Sequence, residues 1–128
     1  MTNVLHLCGA FLQCDDPAAL ARWYTDTLGL ALQDWGGGAC FGLSWDHTTD
    51  AGLKSHTILS LQKAKTPLGT SPRTCVVNLR VSGLKALVAA IQAQGHAVEG
   101  PTEDPYGSFA WITDPEGNRI ELYEGAAD

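Results

Sequence analysis

The sequence predicts an α+β protein built from one module used twice, each copy running strand–helix–strand–strand–strand. Three observations carry that expectation. The order of periodic segments is the same in both halves of the 128-residue chain. Two helix-ending pairs, Leu28-Gly29 and Gln94-Gly95, lie 66 residues apart, and the strand candidates after each keep similar spacing. A stretch rich in Pro and Gly, Lys63 to Arg73, separates the halves as a linker. An internal repeat of this length outranks local assignments when a fold is chosen.

Val4 to Cys14 is the first strand candidate, with Leu5, Leu7, Phe11 and Leu12 spread through it. Asp16 is a good N-cap and Pro17 suits the first helical position. Leu20, Trp23, Tyr24 and Leu28 then follow a helical stripe that Gly29 closes. Packing of the Trp23-Tyr24 pair against a sheet explains both rings. Three strand-like runs come next: Leu30 to Trp35, Ala39 to Trp45, and His56 to Gln62. Gly36-Gly37-Gly38 forms the first turn, and Asp46 to Ser55 reads as a longer polar loop. In the second half, Thr74 to Ser82 is a strand. Gly83 to Gln94 is a helix with Leu84, Leu87, Val88 and Ile91 on one stripe, ended by Gly95. His96 to Glu99, Phe109 to Thr113 and Arg119 to Glu124 complete the set. The modules are therefore expected at residues 1–66 and 70–128 of a single domain.

The last hairpin has the strongest local chemistry. Phe109 to Thr113 is rich in aromatic and β-branched residues, which suit a half-buried pleated surface. Asp114-Pro-Glu-Gly-Asn118 supplies a turn: Pro115 presets φ, Gly117 accepts φ > 0, and Asp114 and Asn118 can bond their own backbone. Beyond it, Ile120 and Leu122 face one side, and Arg119, Glu121 and Tyr123 the other.

Composition narrows the function classes. A hydrophobic share of 45% and a charged share of 17% are ordinary for a water-soluble globular domain. A formal charge of −6, with no Lys/Arg cluster, argues against nucleic acid as a partner. No apolar run approaches membrane-spanning length and no export signal opens the chain, so the expected location is cytoplasmic and away from membranes. The four cysteines, Cys8, Cys14, Cys40 and Cys75, lack metal-type spacing and read as reduced, mostly buried small hydrophobes.

Taken together, the aromatic strand, Asp114-Pro-Glu-Gly-Asn-Arg119, and Ile120-Glu-Leu122 resemble the closing hairpin of the vicinal oxygen chelate superfamily. That superfamily includes glyoxalase I, extradiol dioxygenases and bleomycin-resistance proteins. Its first-helix pattern is matched by Asp16, Trp23-Tyr24 and Leu28-Gly29. The resemblance covers nearly the whole chain. It implies two βαβββ modules whose mixed sheets form an open, curved barrel around a cavity. It also implies a homodimer, because superfamily modules pair within or between chains.

In metal-dependent relatives, ligands come from the first and last strands of each module. Carried over by the repeat, those positions are Gly9, Ser60, Val76 and Glu121. Only Glu121 is a metal-binding residue type, since zinc needs three or four N, S or carboxylate donors. His6 is three residues from Gly9 and so faces the other side of a regular strand. His56 shares a face with Ser60 but lies about 13 Å along the strand. His47 and His96 fall in a loop and after a helix. A site without metal or other cofactor is expected, the alternative being a divalent metal that involves Glu121.

The inner face of such a barrel would draw on Phe11, Trp35, Phe41, Trp45, Trp111 and Tyr123, with Glu121 and Arg119 as polar members and His56 and Ser60 alongside. Aromatic walls with few polar anchors are the ordinary form of a small-molecule site. The expected function is binding of a small, partly aromatic or apolar molecule. Two alternatives stand beside it: a metal-free enzyme with Glu121 as catalytic base, and a metal-dependent lyase, isomerase or dioxygenase.

Overall fold

The computed structural model describes residues 3–126. It contains two βαβββ modules, one in each of two compact units, Met1–Leu68 and Gly69–Asp128. The first module comprises β1 (Gly9–Cys14), α1 (Pro17–Leu28), β2 (Gln33–Asp34), β3 (Cys40–Thr48) and β4 (Lys54–Lys63). The second comprises β5 (Val76–Arg80), α2 (Leu84–Ala93), β6 (Glu99–Asp104), β7 (Gly107–Thr113) and β8 (Arg119–Gly125). Each has a four-stranded sheet, ordered β1-β4-β3-β2 in one and β5-β8-β7-β6 in the other. The first strand of each module pairs in parallel with the last, and the remaining pairs are antiparallel. No helix among the described residues is long and apolar enough to cross a membrane.

Alternation along the strands decides which face each module buries. In the first, Leu12, Cys14, Leu59 and Leu61 are buried with Leu20, Ala21 and Tyr24 of α1. In the second, Val77, Ala110, Ile112, Ile120 and Leu122 are buried with Leu84, Val88 and Ile91 of α2. Each fully buried Leu or Ile contributes roughly 1.5–3 kcal/mol of transfer free energy. The opposite face of each sheet carries no helix of its own module.

The caps follow the local chemistry. Asp16 accepts a hydrogen bond from the Ala19 N–H at 3.1 Å, Pro17 opens α1, and Gly29 ends it in the left-handed region at φ 70°. Gly83 offers α2 no side-chain cap, and Glu124 of β8 supplies one instead: its carboxylate accepts from the N–H groups of Gly83 at 2.7 Å and Leu84 at 3.2 Å. A carboxylate there also meets the positive end of the helix dipole.

The β7–β8 turn is closed by buried Asp114 and Asn118. Asp114 Oδ1 accepts from the N–H groups of Glu116 and Asn118, both at 2.9 Å, and Oδ2 accepts from Asn118 Nδ2 at 2.8 Å. Gly117 takes φ 90° between them.

Several expected boundaries shift. The first strand starts at Gly9 rather than Val4, where pairing to Ile58 of β4 begins; Val4, Leu5 and Leu7 stand exposed before it. β2 keeps only Gln33 and Asp34. Asp46 to Thr48 and Lys54 to Ser55, expected in a loop, instead extend the β3–β4 ladder, because polar residues suit a hairpin that projects into water. The sixth strand begins at Glu99, where the expected one ended. Its residues, Glu-Gly-Pro-Thr-Glu-Asp, have no apolar alternation, and an edge position with a bulge between Glu99 and Thr102 accommodates Pro101. None of the four cysteines is in a disulfide, but only Cys14 is fully buried, since Cys8 and Cys75 immediately precede the paired parts of β1 and β5.

Candidate functional site

Each module presents a face that its helix leaves uncovered. On the second module a single row crosses four strands: Asn78 of β5, Glu121 of β8, Trp111 of β7 and Glu99 of β6. Glu121 sits at the centre of this row with both carboxylate oxygens engaged. Asn78 Nδ2 donates to Oε1 at 3.0 Å, and the Trp111 indole N–H donates to Oε2 at 3.1 Å. Two neutral donors from neighbouring strands thus fix an acidic side chain in place and leave lone pairs for a further donor.

Beside this carboxylate runs a ladder of aromatic rings. Phe109 stacks on Tyr123 with centroids 5.2 Å apart and on Trp111 with centroids 6.3 Å apart. Arg80 lies over the Tyr123 ring at 5.5 Å, and Arg119 over the Trp111 ring at 5.8 Å. The Arg119 guanidinium is also held bidentately by Glu99, at 3.2 and 2.7 Å. That hydrogen-bonded pairing, with the charge of Arg119 behind it, lowers the Glu99 carboxyl below its ordinary pKa. Reciprocally, the hydrogen bond to Glu99 raises the Arg119 pKa further, with burial opposing and the charges of Glu99 and Glu121 assisting.

The corresponding row of the first module is Phe11 of β1, Ser60 of β4, Gly42 of β3 and Gln33 of β2. An indole stands on this row too, reached by another route. Trp35 follows the short β2 and lays its ring over Gly42, where a Cβ on residue 42 would lie 2.1 Å from the ring. Ser60 is buried, with its hydroxyl 3.3 Å from Cys40 Sγ. Next to β2, Asp34 accepts from the backbone N–H groups of Gly38 and Gly36, which lowers its pKa in that order of effect.

The expected set therefore divides. Phe11, Trp35 and Ser60 share the uncovered face of the first module, and Trp111, Arg119, Glu121 and Tyr123 that of the second. Phe41 and Trp45 do not belong with them. Phe41 pairs with buried Leu61 and Trp45 with Thr57, so both lie on the helix-side parity of β3, opposite Gly42 and Ser60. His56 keeps the parity of Ser60 but sits at the far end of the ladder opposite Asp46. Asn78, Phe109 and Glu99 were not singled out from the sequence. Parity would have found Phe109 and Asn78; Glu99 depends on the register of an irregular edge strand.

The residues at the family's ligand positions do not form a metal set. A Cβ on Gly9 would lie 2.2 Å from the Ile58 carbonyl oxygen, so the pairing of β1 with β4 leaves no room for any side chain there. Val76 is apolar, Ser60 is buried beside Cys40, and Glu121 already accepts from Asn78 and Trp111. No group of three or more His, Cys, Asp or Glu suited to a metal ion occurs among the described residues.

Known proteins agree with this architecture. The model of the glyoxalase-like domain family matches residues 9–123. TnmS3, an antibiotic binding protein from Streptomyces sp. CB03234, is 27% identical with a TM-score of 0.68, over 98% of this chain and 100% of its own. A glyoxalase/bleomycin resistance protein from the same organism is 28% identical with a TM-score of 0.65, over 92% of this chain and 99% of its own. Lactoylglutathione lyase from Agrobacterium tumefaciens, 18% identical with a TM-score of 0.66 over 97% and 96% of the two chains, shares the fold. No curated protein matches the chain significantly. The chain belongs to the glyoxalase-like domain family, within the vicinal oxygen chelate superfamily.

Proposed function

We propose that this protein binds a small, partly aromatic or apolar molecule on the uncovered face of its second module, without a metal and without turning it over. The observation that carries this reading is the fixed Glu121 carboxylate beside the Tyr123–Phe109–Trp111 ring ladder. Stacked rings contribute area and flatness, and one oriented acceptor selects a ligand bearing an N–H or O–H. A similar chain of the same length class being an antibiotic binding protein supports the reading. Glu121 as a catalytic base is less favoured, because Asn78 and Trp111 already hold both of its oxygens in place.

A thermal-shift screen with planar aromatic compounds tests this reading. A stabilising compound should bind the Glu121→Gln variant at least about tenfold more weakly, the loss of one charge-assisted hydrogen bond. Turnover of that compound, abolished by the same substitution, would instead make the protein an enzyme. We also propose a homodimer, motivated by the exposed Val4, Leu5 and Leu7 ahead of β1. A strictly monomeric mass by light scattering at micromolar concentration would contradict it.

A further inference from the structure

We infer that Arg119, locked by Glu99, sets the charge preference of the ligand face, so that the molecule bound is a planar ring carrying an anionic group. The inference rests on the ligand-binding reading above and adds a chemical class to it. A ring approaching the Trp111 end of the ladder meets the guanidinium that lies over the indole at 5.8 Å, as well as the ring. Guanidinium is flat, delocalised and weakly hydrated, so both of its faces stack on aromatic rings while its edge takes up carboxylates. Glu99 grips that edge with two bonds, at 3.2 and 2.7 Å. This fork fixes the orientation of the cation in the way a free, mobile arginine would not be fixed.

The two carboxylates of the row do not cancel this preference, because of where they sit. Glu99 lies at the sheet edge, with its side chain 68% exposed, so water screens its charge; the Arg119 side chain is less exposed, at 39%. Glu121 is turned toward the Asn78 amide and the Trp111 indole N–H, each of which holds one of its oxygens. A second guanidinium, Arg80, covers Tyr123 at the other end of the ladder at 5.5 Å. The stacking surfaces at both ends are thus cationic, and the acidic groups are engaged at their edges. An aromatic carboxylate or phenolate gains from stacking on such a cation, and an aromatic ammonium is repelled by it.

Three probes of one shape, each carrying the same O–H donor for Glu121 and differing only in charge, separate the possibilities: 6-hydroxy-2-naphthoate, 6-hydroxy-2-naphthamide and (6-hydroxy-2-naphthyl)methylammonium. Their dissociation constants are read by NMR titration of the tryptophan indole N–H signals of the full chain. The wild type should bind the carboxylate about tenfold more tightly than the amide, and the ammonium most weakly. Arg119→Gln should collapse the carboxylate-to-amide ratio to near one. Arg119→Lys, which keeps the charge without the plane or fork, should restore only part of the ratio. Glu99→Gln, which removes the anion paired with that guanidinium, should widen it. All three probes binding with a ratio that Arg119→Gln leaves unchanged would overturn the charge preference while leaving ligand binding intact. No indole shift with any probe at millimolar concentration would overturn both.

Discussion

The two modules share the register of their central row, apart from the bulge that follows it in β6, and differ almost wholly in what stands on it. Phe11, Ser60, Gly42 and Gln33 occupy the central row of one sheet, and Asn78, Glu121, Trp111 and Glu99 the same row of the other. Behind these rows the helix-side faces match in kind: Leu59 and Leu61 in one, Ile120 and Leu122 in the other. The buried face specifies the fold and tolerates little beyond a change of aliphatic shape. The uncovered face is free to diverge, and it has. The first module puts an indole on its row by leaving residue 42 without a side chain and swinging Trp35 over it; the second places Trp111 there directly. Only the second module combines its indole with a fixed carboxylate and ordered guanidinium groups.

The largest effects are expected where the modules agree. Leu61→Ala and Leu122→Ala should each cost about 2–5 kcal/mol, because both side chains are fully buried and leave cavities. Urea denaturation that found one substitution nearly neutral would break the claim that both helix-side faces do equivalent structural work. Next comes the turn, where the modules differ. Asp114→Ala removes three bonds from a buried carboxylate and should cost about 2–3 kcal/mol. Thr49, whose hydroxyl accepts the Leu53 N–H at the exposed β3–β4 turn, should matter far less when replaced by Ala.

A third contrast concerns the ligand positions of metal-dependent relatives. Gly9→Ala pushes a Cβ against the Ile58 carbonyl and should cost about 1–3 kcal/mol. Val76→Ala, at the matching position of the second module, trims a half-exposed side chain and should cost well under half of that. Equal effects would show that Gly9 is not a packing requirement.

This third contrast also marks how far the sequence could be read. The duplication, the buried alternation of Ile120 and Leu122, the N-cap at Asp16 and the Asp114–Asn118 turn were all legible, since each depends on local propensity and spacing. The strand face of Glu121 was legible, but not its partners. Arg119, two positions along the same strand, was the nearest donor in sequence, whereas Asn78 and Trp111 approach across strands. Phe41 and Trp45 were misplaced because aromatic character was read without the parity of β3. The position of β6 was hidden because its pairing is fixed by β7 and by a bulge rather than by its own residues.

The smallest effect is a pH dependence at the sheet edges. Arg119 lowers the pKa of Glu99 from an ordinary value of 4.5, so this pair stabilises the folded state above that pH. The contribution is lost as pH falls through the lowered folded value. Both side chains are solvent-accessible, so added salt should shrink the difference between wild type and Glu99→Gln in acid denaturation. Asp34 of the first module, also lowered but by the backbone N–H groups of Gly38 and Gly36, should show less salt sensitivity in the same comparison.

Calorimetric titration of the best compound from the thermal-shift screen, with and without exhaustive chelation, tests the central claim most directly. About one molecule should bind per chain, with an affinity that chelation leaves unchanged and a loss of at least about tenfold in Trp111→Ala, where a stacking surface is removed. An affinity that disappears on chelation, or one that survives Trp111→Ala undiminished, would contradict a metal-free ligand site on the second module's sheet.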